Sequence, residues 1–254
     1  MNNLSLILLT KNESEKLKGW GNWIKKILPL NEIIVIDDNS TDETIKIVKS
    51  WKDKNLSVKT FIHSLNNNFS NQRQFALSKT KNDWIIFLDA DETLPPSTIN
   101  YLNHLHLKDN HSYIFHRNLI YLNHTLKYGQ CLEDKPIRLF NKFEGKFSGR
   151  VHEVWESQSR QIDTHQYINH YSFDSLNIFL KKINLYSTIR AQELFEKHHH
   201  SNLFQIISYP FFKFIHLYFI KLGFLDGIPG IIISLSMSFG SFLTRSKLWH
   251  LQQK

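Results

Sequence analysis

The stretch Trp84-Ile85-Ile86-Phe87-Leu88-Asp89-Ala90-Asp91-Glu92 constrains the fold more than any other, because an apolar run of strand length ends in three carboxylates within four residues. A run that is apolar at every position suits a strand buried on both faces, as in parallel sheets. The carboxyl edge of such a sheet is where open α/β folds bind ligands. Two aspartates one residue apart at a strand end can share a hard divalent cation, Mg²⁺ or Mn²⁺, and a cation held this way usually also takes phosphate oxygens of a substrate. The stretch therefore reads as a metal-diphosphate site. The competing reading is a solvated acidic turn before Pro95-Pro96, and the rest of the chain has to decide between them.

The preceding residues repeat the pattern. Leu4 to Leu9 reads as a short apolar strand, Glu15 to Leu28 has helical spacing, and Glu32 to Ile36 is a second strand ending in Asp37-Asp38. Ser40-Thr41-Asp42-Glu43 is a capping box, with Ser40 at N-cap and Glu43 at N3, that starts a helix through about Lys52. A strand over Val58 to Ile62 and a helix over Asn71 to Ser78 lead into the acidic strand. Strands alternating with helices predict an α/β fold with a doubly wound, mostly parallel sheet. Right-handed crossovers would then bring Thr10-Lys11-Asn12-Glu13, Asp37-Asp38 and Asp89-Ala90-Asp91 to one edge. Neither G-x-G-x-x-G nor G-x-x-x-x-G-K-[ST] is present, so a cation rather than a glycine cradle must hold the phosphates. Asp38 is placed to accept hydrogen bonds from a base or ribose, although Asp37 or Asp38 would serve equally as a helix N-terminal carboxylate.

Four ordered motifs carry a family resemblance: Thr10 to Glu13, the run V-I-D-D-N-S-T-D from Val35, Asn71-Gln72-Arg73, and Phe87 to Glu92. Together they resemble the family 2 inverting glycosyltransferases of the GT-A fold. The resemblance implies transfer from a nucleotide-diphosphate sugar such as a UDP-hexose. By it Thr10, Asn12, Glu13 and Asp38 would hold the nucleoside, Arg73 and Asp89 would lie beside the uracil or ribose, and Asp91, with Asp89, would ligate the metal on the diphosphate. Further on, Arg138-Leu139-Phe140 and Val151-His152-Glu153 resemble the subgroup that builds lipopolysaccharide core, often glucosyltransferases. Inverting transfer needs a base on the acceptor hydroxyl. Glu153 is the choice, Glu133 and Asp134 are its rivals, and the bland reading of Glu153 is a rim carboxylate paired with Arg150 or Arg160. Arg138 or Arg150 would stabilise the diphosphate or be an ordinary surface charge. His170 is expected near the active site, or as a hydrogen-bonded structural histidine.

From Pro96 the pattern is less regular: a helix to about Leu107, hairpin strands at Tyr113 to His116 and Leu119 to Leu122, then strands at Pro136 to Phe140 and Lys146 to Val154. Asp174 reads as the N-cap of a long amphipathic helix to about Lys197. His198-His199-His200 points around a helix and is a poor chelator. Beyond lie an aromatic, basic stretch from Leu203 to Leu225 and an uncharged run of 16 residues, Ile228 to Leu243. Both are short or interrupted for a span, so residues 203–247 read as lying in a membrane interface, with a true span or a soluble oligomer contact as the other readings.

The net charge of +8 is concentrated here: residues 181–254 carry nine Lys and Arg against Glu193, Glu196 and Asp226. Nothing resembles a nucleic-acid-binding motif, so no nucleic-acid partner is expected. Cys131 is the single cysteine, which fits a reducing compartment. No signal peptide is apparent, and a cytoplasmic location on the inner face of the cell membrane is expected. The expected organisation is a catalytic domain over 1–172, divided into a nucleotide-binding half (1–95) and an acceptor half (96–172), and a helical membrane-associating region over 173–254. The expected activity is hexose transfer, by preference glucose, to a lipid-linked saccharide acceptor. Two alternatives share the fold: a sugar nucleotidyltransferase, and a catalytically inactive membrane scaffold.

Overall fold

The computed structural model describes residues 3–64, 69–121, 124–130, 134–149, 154–173 and 175–253. The chain divides into two compact units, Met1–Arg117 with Lys135–His170 and Asn118–Asp134 with Tyr171–Lys254.

In the first unit β1 (Leu4–Thr10), β2 (Leu30–Asp37), β3 (Ser57–Ile62) and β4 (Trp84–Asp89) form a parallel array in the order β3-β2-β1-β4. The sheet continues through β8 (Ile137–Asn141), β6 (His111–Tyr121), β11 (Arg160–Phe173) and the two-residue β5 (Glu92–Thr93). The β4–β8, β8–β6 and β11–β5 pairings are antiparallel. β9 (Gly145–Ser148) and β10 (Val154–Ser157) make a separate antiparallel pair.

Helices α1 (Ser14–Leu17), α2 (Trp20–Ile24), α3 (Thr44–Lys49) and α5 (Pro96–His104) contribute Leu17, Trp20, Ile24, Val48, Ile99 and Leu102 to one core with Leu6, Leu8, Ile33, Val35, Ile86 and Leu88. Alternate residues of the same strands, Ile7, Ile34, Ile36, Ile85 and Phe87, pack on the other face with Ala76 and Leu77 of α4 (Phe69–Lys79) and with Phe140, Phe147 and Trp155. Two buried faces on each strand explain the unbroken apolar runs.

In the second unit β7 (His124–Leu126) pairs with the end of β6, Leu119 opposite Leu126. Phe179 and Ile183 of α6 (Leu176–Glu196) and Ile233 of α8 (Gly227–Gln252) pack with them. Between these helices run α7 (Leu203–Ile215), a π-helical turn over His216–Ile220 and a 3-10 turn over Gly223–Asp226. A Cβ on Gly230 would drive into the carbonyl oxygen of Gly223, so only glycine admits this approach of α8 to the turn before it. α7 buries none of its residues, and Phe204 and Phe212 stay 74% and 63% exposed.

Several elements differ from the sequence expectation. The helix over Glu15 to Leu28 is two short ones, broken at Lys18 and Gly19; Trp20, which opens the second, stacks its ring on Trp51 at 5.8 Å. The capping box does not form. Ser40 turns its hydroxyl to Asp37, and the Thr44 N–H of α3 bonds instead to the Asp42 carboxylate at 3.0 Å. The expected strands at Tyr113 to His116 and Leu119 to Leu122 fall, as far as Tyr121, in one continuous β6; Leu122 lies outside the described residues. The long helix is capped by Ser175, whose hydroxyl accepts the Ile178 N–H at 3.2 Å; Asp174, the expected cap, lies outside the described residues.

At the opposite end of the parallel strands from the acidic residues, Glu32 is buried and accepts from Ser5 Oγ at 2.6 Å, Lys81 N at 2.7 Å and Lys59 Nζ at 2.9 Å. Burial alone would raise its pKa, but these donors outweigh it and lower the pKa from 4.5. A lowered folded-state pKa means the stabilisation is complete above pH 4.5 and is lost as pH falls through the folded value. Glu32→Gln is expected to lower Tm at pH 7 by roughly 5 °C. The gap to wild type should shrink below about pH 4.5, which thermal scans from pH 7 to 3 would read.

Candidate active site

The sheet register places the three polar strand ends side by side, since Thr10 of β1 pairs with Asp37 of β2 while Leu9 pairs with Asp89 of β4. Thr10 is buried and donates to Asp37 Oδ1 at 3.0 Å, and Asp37 also accepts the Ser40 N–H at 2.7 Å. Asp37 is thereby committed to its own loop. Asp38, one residue on, meets Lys11 Nζ at 2.7 Å.

Asn12, in left-handed backbone (φ 53°), donates its N–H to Ser40 Oγ at 2.8 Å and accepts the Thr41 N–H at 2.8 Å. The Glu13 N–H reaches Thr44 Oγ1 at 2.9 Å, and its carboxylate lies 2.9 Å from Lys16. The loops after β1 and β2 are thus stitched to each other, with Thr10, Asn12, Glu13 and Asp38 along the seam.

After β4 the chain builds a buried ionic cluster. Glu92 is fully buried, accepts the Asp89 N–H at 3.0 Å, and pairs with Arg117 and Arg138, each at 2.7 Å. Asp89 meets Arg138 at 2.7 Å, Arg73 at 3.3 Å and Arg117 at 3.7 Å. Arg73 also lies over the Phe87 ring, 4.0 Å from its centroid. Burial pushes the Asp89 pKa up, but Arg138, Arg73 and Arg117 together hold it well below the usual carboxylate range. Arg138 is burdened by desolvation in turn, yet Glu92 and Asp89 raise its pKa further. It is 2% exposed and bound to carboxylates, so the surface-charge reading fails.

Asp91 lies beyond this cluster, and its Oδ1 is 3.5 Å from His170 Nε2. His170 reaches it from β11, where the residue pairs in register with Glu92 of β5. Asp91 and His170 are a carboxylate and an imidazole at a separation that one divalent ion can span. Sequence reasoning placed His170 nearby but missed Glu92 and Arg117 as its setting. The signal available was Glu92 itself, a carboxylate too close to a buried strand to be solvated without partners. Asp134 falls in the second unit. Glu153 and Glu133, together with His152 and Arg150, lie outside the described residues.

The model of the glycosyl transferase family 2 matches residues 5–183, and the chain belongs to that family. An uncharacterized glycosyltransferase of Rickettsia typhi is 27% identical over 268 residues, covering 100% of this chain and 89% of the relative. A lipopolysaccharide core biosynthesis glycosyltransferase, LpsC, of Rhizobium meliloti is 26% identical, with 97% and 92% covered. Among solved structures, a mannosyltransferase from Pyrobaculum calidifontis in complex with GDP-Man and Mn²⁺ superposes with a TM-score of 0.57 at 12% identity, covering 98% of this chain and 87% of that one. The α/β sheet with its C-terminal helices is thus a GT-A-type fold.

Removing one partner from the cluster leaves buried charge uncompensated, which typically costs about 3–5 kcal/mol. Arg138→Met should therefore lower stability by roughly that amount in denaturant titration. A loss below about 1 kcal/mol would mean that Arg73 and Arg117 suffice to hold Asp89 and Glu92.

Proposed function

We propose that the chain is a metal-dependent inverting glycosyltransferase that moves a hexose, by first choice glucose, from a UDP-sugar to a lipid-linked glycan of the lipopolysaccharide-core kind. The observation that carries the reading is the Asp91–His170 pair set against an arginine-lined cluster at the carboxyl edge of the sheet. Two carboxylates (Asp89, Glu92) facing three guanidiniums (Arg73, Arg117, Arg138) leave one formal positive charge, which favours an anionic ligand beside them.

The donor set at Asp91 fits a divalent cation, because carboxylate oxygen and imidazole nitrogen both suit Mn²⁺. A cation held there would supply positive charge to the leaving diphosphate. Asp89, engaged by three arginines, fixes the loop that presents Asp91, which concentrates the metal role on Asp91. Thr10, Asn12, Glu13 and Asp38 are assigned to the nucleoside, with Arg73 and Asp89 flanking it. Glu153 is assigned as base on the acceptor hydroxyl, with Glu133 and Asp134 as the alternatives. Residues 1–172 form the catalytic domain in this reading, and 173–254 the membrane-associating region.

Support for the membrane part comes from the C-terminal helices. Leu203–Ile220 and Gly223–Gln252 are each apolar and long enough to cross a bilayer, with 6% and 22% of the most apolar window buried. The first contains Lys213 and no acidic residue. An aromatic, basic and uncovered helix suits an anionic lipid surface, and the protein is assigned to the inner face of the cell membrane. The name of the Rhizobium relative supports the lipid-linked acceptor.

Slow donor hydrolysis across a panel of nucleotide-sugars should require Mn²⁺ or Mg²⁺, stop with EDTA, and fall at least about 100-fold in Asp91→Ala. Hydrolysis that is indifferent to EDTA and to Asp91→Ala would defeat the metal assignment. No hydrolysis and no thermal shift with UDP would favour the scaffold alternative. For the surface, Phe204→Glu with Phe212→Glu should cut co-sedimentation with anionic phosphatidylglycerol vesicles several-fold while leaving donor hydrolysis intact. Equal sedimentation of wild type and double variant would rule out docking through α7.

A further inference from the structure

A second cluster of ligand-type side chains lies in the first unit, on β6 and β11, and shares no residue with the donor site. His116 Nε2 is 2.8 Å from Asp163 Oδ1, and His165 Nδ1 is 3.5 Å from that same oxygen. All three ligand atoms fall within 4.8 Å of one another. Two ligands of one tetrahedral ion, each about 2.0–2.1 Å from it, are roughly 3.3 Å apart, so the cluster needs little adjustment to close on an ion.

The backbone is arranged for this. His165 sits in left-handed backbone (φ 53°) inside a strand, a conformation that is costly for a residue with a Cβ and tends to persist at functional positions. That turn sends its N–H to Asp163 Oδ1 at 2.8 Å, while Thr164 between them donates to the Ile114 carbonyl of β6 at 2.7 Å. The other carboxylate oxygen, Oδ2, lies 3.0 Å from His116 Nε2 and faces Lys135 Nζ at 3.4 Å. Lys135 is thus placed to orient the carboxylate as an outer partner without occupying the shared oxygen. The Tyr167 ring stands edge-on to His116, 5.5 Å between centroids. His165 is 80% exposed, so an ion has access from solvent.

We infer that His116, Asp163 and His165 form a binding site for a transition-metal ion of the Zn²⁺ class, tying β6 to β11 and leaving one coordination position open. Two imidazoles and one carboxylate suit Zn²⁺ far better than Mg²⁺, which prefers oxygen ligands in octahedral array. Binding requires the neutral His116 to carry its proton on Nδ1, freeing Nε2 for the ion. The site is separate from Asp91 and His170, because His165 and His170 are five positions apart on β11, roughly 16 Å along an extended strand.

The test uses the full chain stripped with EDTA and titrated with Zn²⁺ by calorimetry, and with Co²⁺ by visible absorption. Wild type should bind one more equivalent at micromolar concentration than His165→Ala, with the intense visible bands of tetrahedral Co²⁺. Asp91→Ala should keep that equivalent, and Asp163→Asn should weaken it at least 10-fold. Zn²⁺ at about 100 times Kd should raise Tm by roughly 5–10 °C in wild type, and not in His165→Ala. Circular dichroism checks that the exposed substitution leaves the fold intact. Identical Zn²⁺ isotherms and Co²⁺ spectra for wild type and His165→Ala would overturn the proposal.

Discussion

The pairing of Asp89 and Glu92 with Arg138 is the interaction on which the site depends. An ion pair as deeply buried as Arg138 with Glu92 is a poor source of net stability, since desolvating each charge costs several kcal/mol before any attraction is counted. What the cluster supplies is position. Glu92 accepts the Asp89 N–H and so fixes the turn that carries Asp91, while Arg138 from β8 and Arg117 from β6 clamp that turn to two neighbouring strands. Arg73 brings α4 to the same carboxylate. Three elements therefore converge on one tetrapeptide, and Asp91 is presented by a loop with little freedom to move.

The parallel half of the fold was legible because its strands are buried on both faces, which leaves uninterrupted apolar runs at Leu4 to Leu9, Ile33 to Ile36 and Trp84 to Leu88. Their carboxyl ends are polar because they leave the core, and parallel pairing then sets them side by side. β11 gave no such signal. It alternates Ile162, Thr164, Gln166 and Ile168 with polar or aromatic residues, and it follows a region of short pairs. His170 was expected near the site, but with β11 unread its pairing with Asp91 and the grouping of Asp163 with His165 had no signal, since both depend on the strand's register. For Arg138, which the sequence left between a diphosphate contact and a surface charge, the pairing of β8 with β4 removes the second reading by setting it against Glu92 and Asp89.

Local chemistry misled at Ser40, and the cause is competition for one hydroxyl. A Ser-x-x-Glu pattern offers a helix N-terminus two satisfied donors, but Asp37 sits three residues earlier with a buried carboxylate that must be bonded. Its demand outweighs the cap's, so Ser40 faces back toward β2 and Asp42 takes the N–H of Thr44. The helix starts later than the pattern implies, and the freed loop is available to bond Asn12 from the neighbouring strand end. A short-range rule yields here to a buried charge, and the seam between the first two strand ends is the result.

The second unit follows a different economy of surface. Where α6 and α8 meet, Ile183, Ala191, Leu194, Ile233 and Leu248 are buried, and one stripe of α8 is used up. Ile228, Leu235, Phe239 and Phe242 remain on its other sides, and α7 covers none of its own apolar residues. Leaving a large apolar side chain in water forgoes about 1.5–3 kcal/mol of burial, and more than ten such residues lie between Leu203 and Phe242. A polar neighbour could not recover that term. The membrane surface proposed above would recover it, being apolar on one side and tolerant of lysine and arginine at the edge.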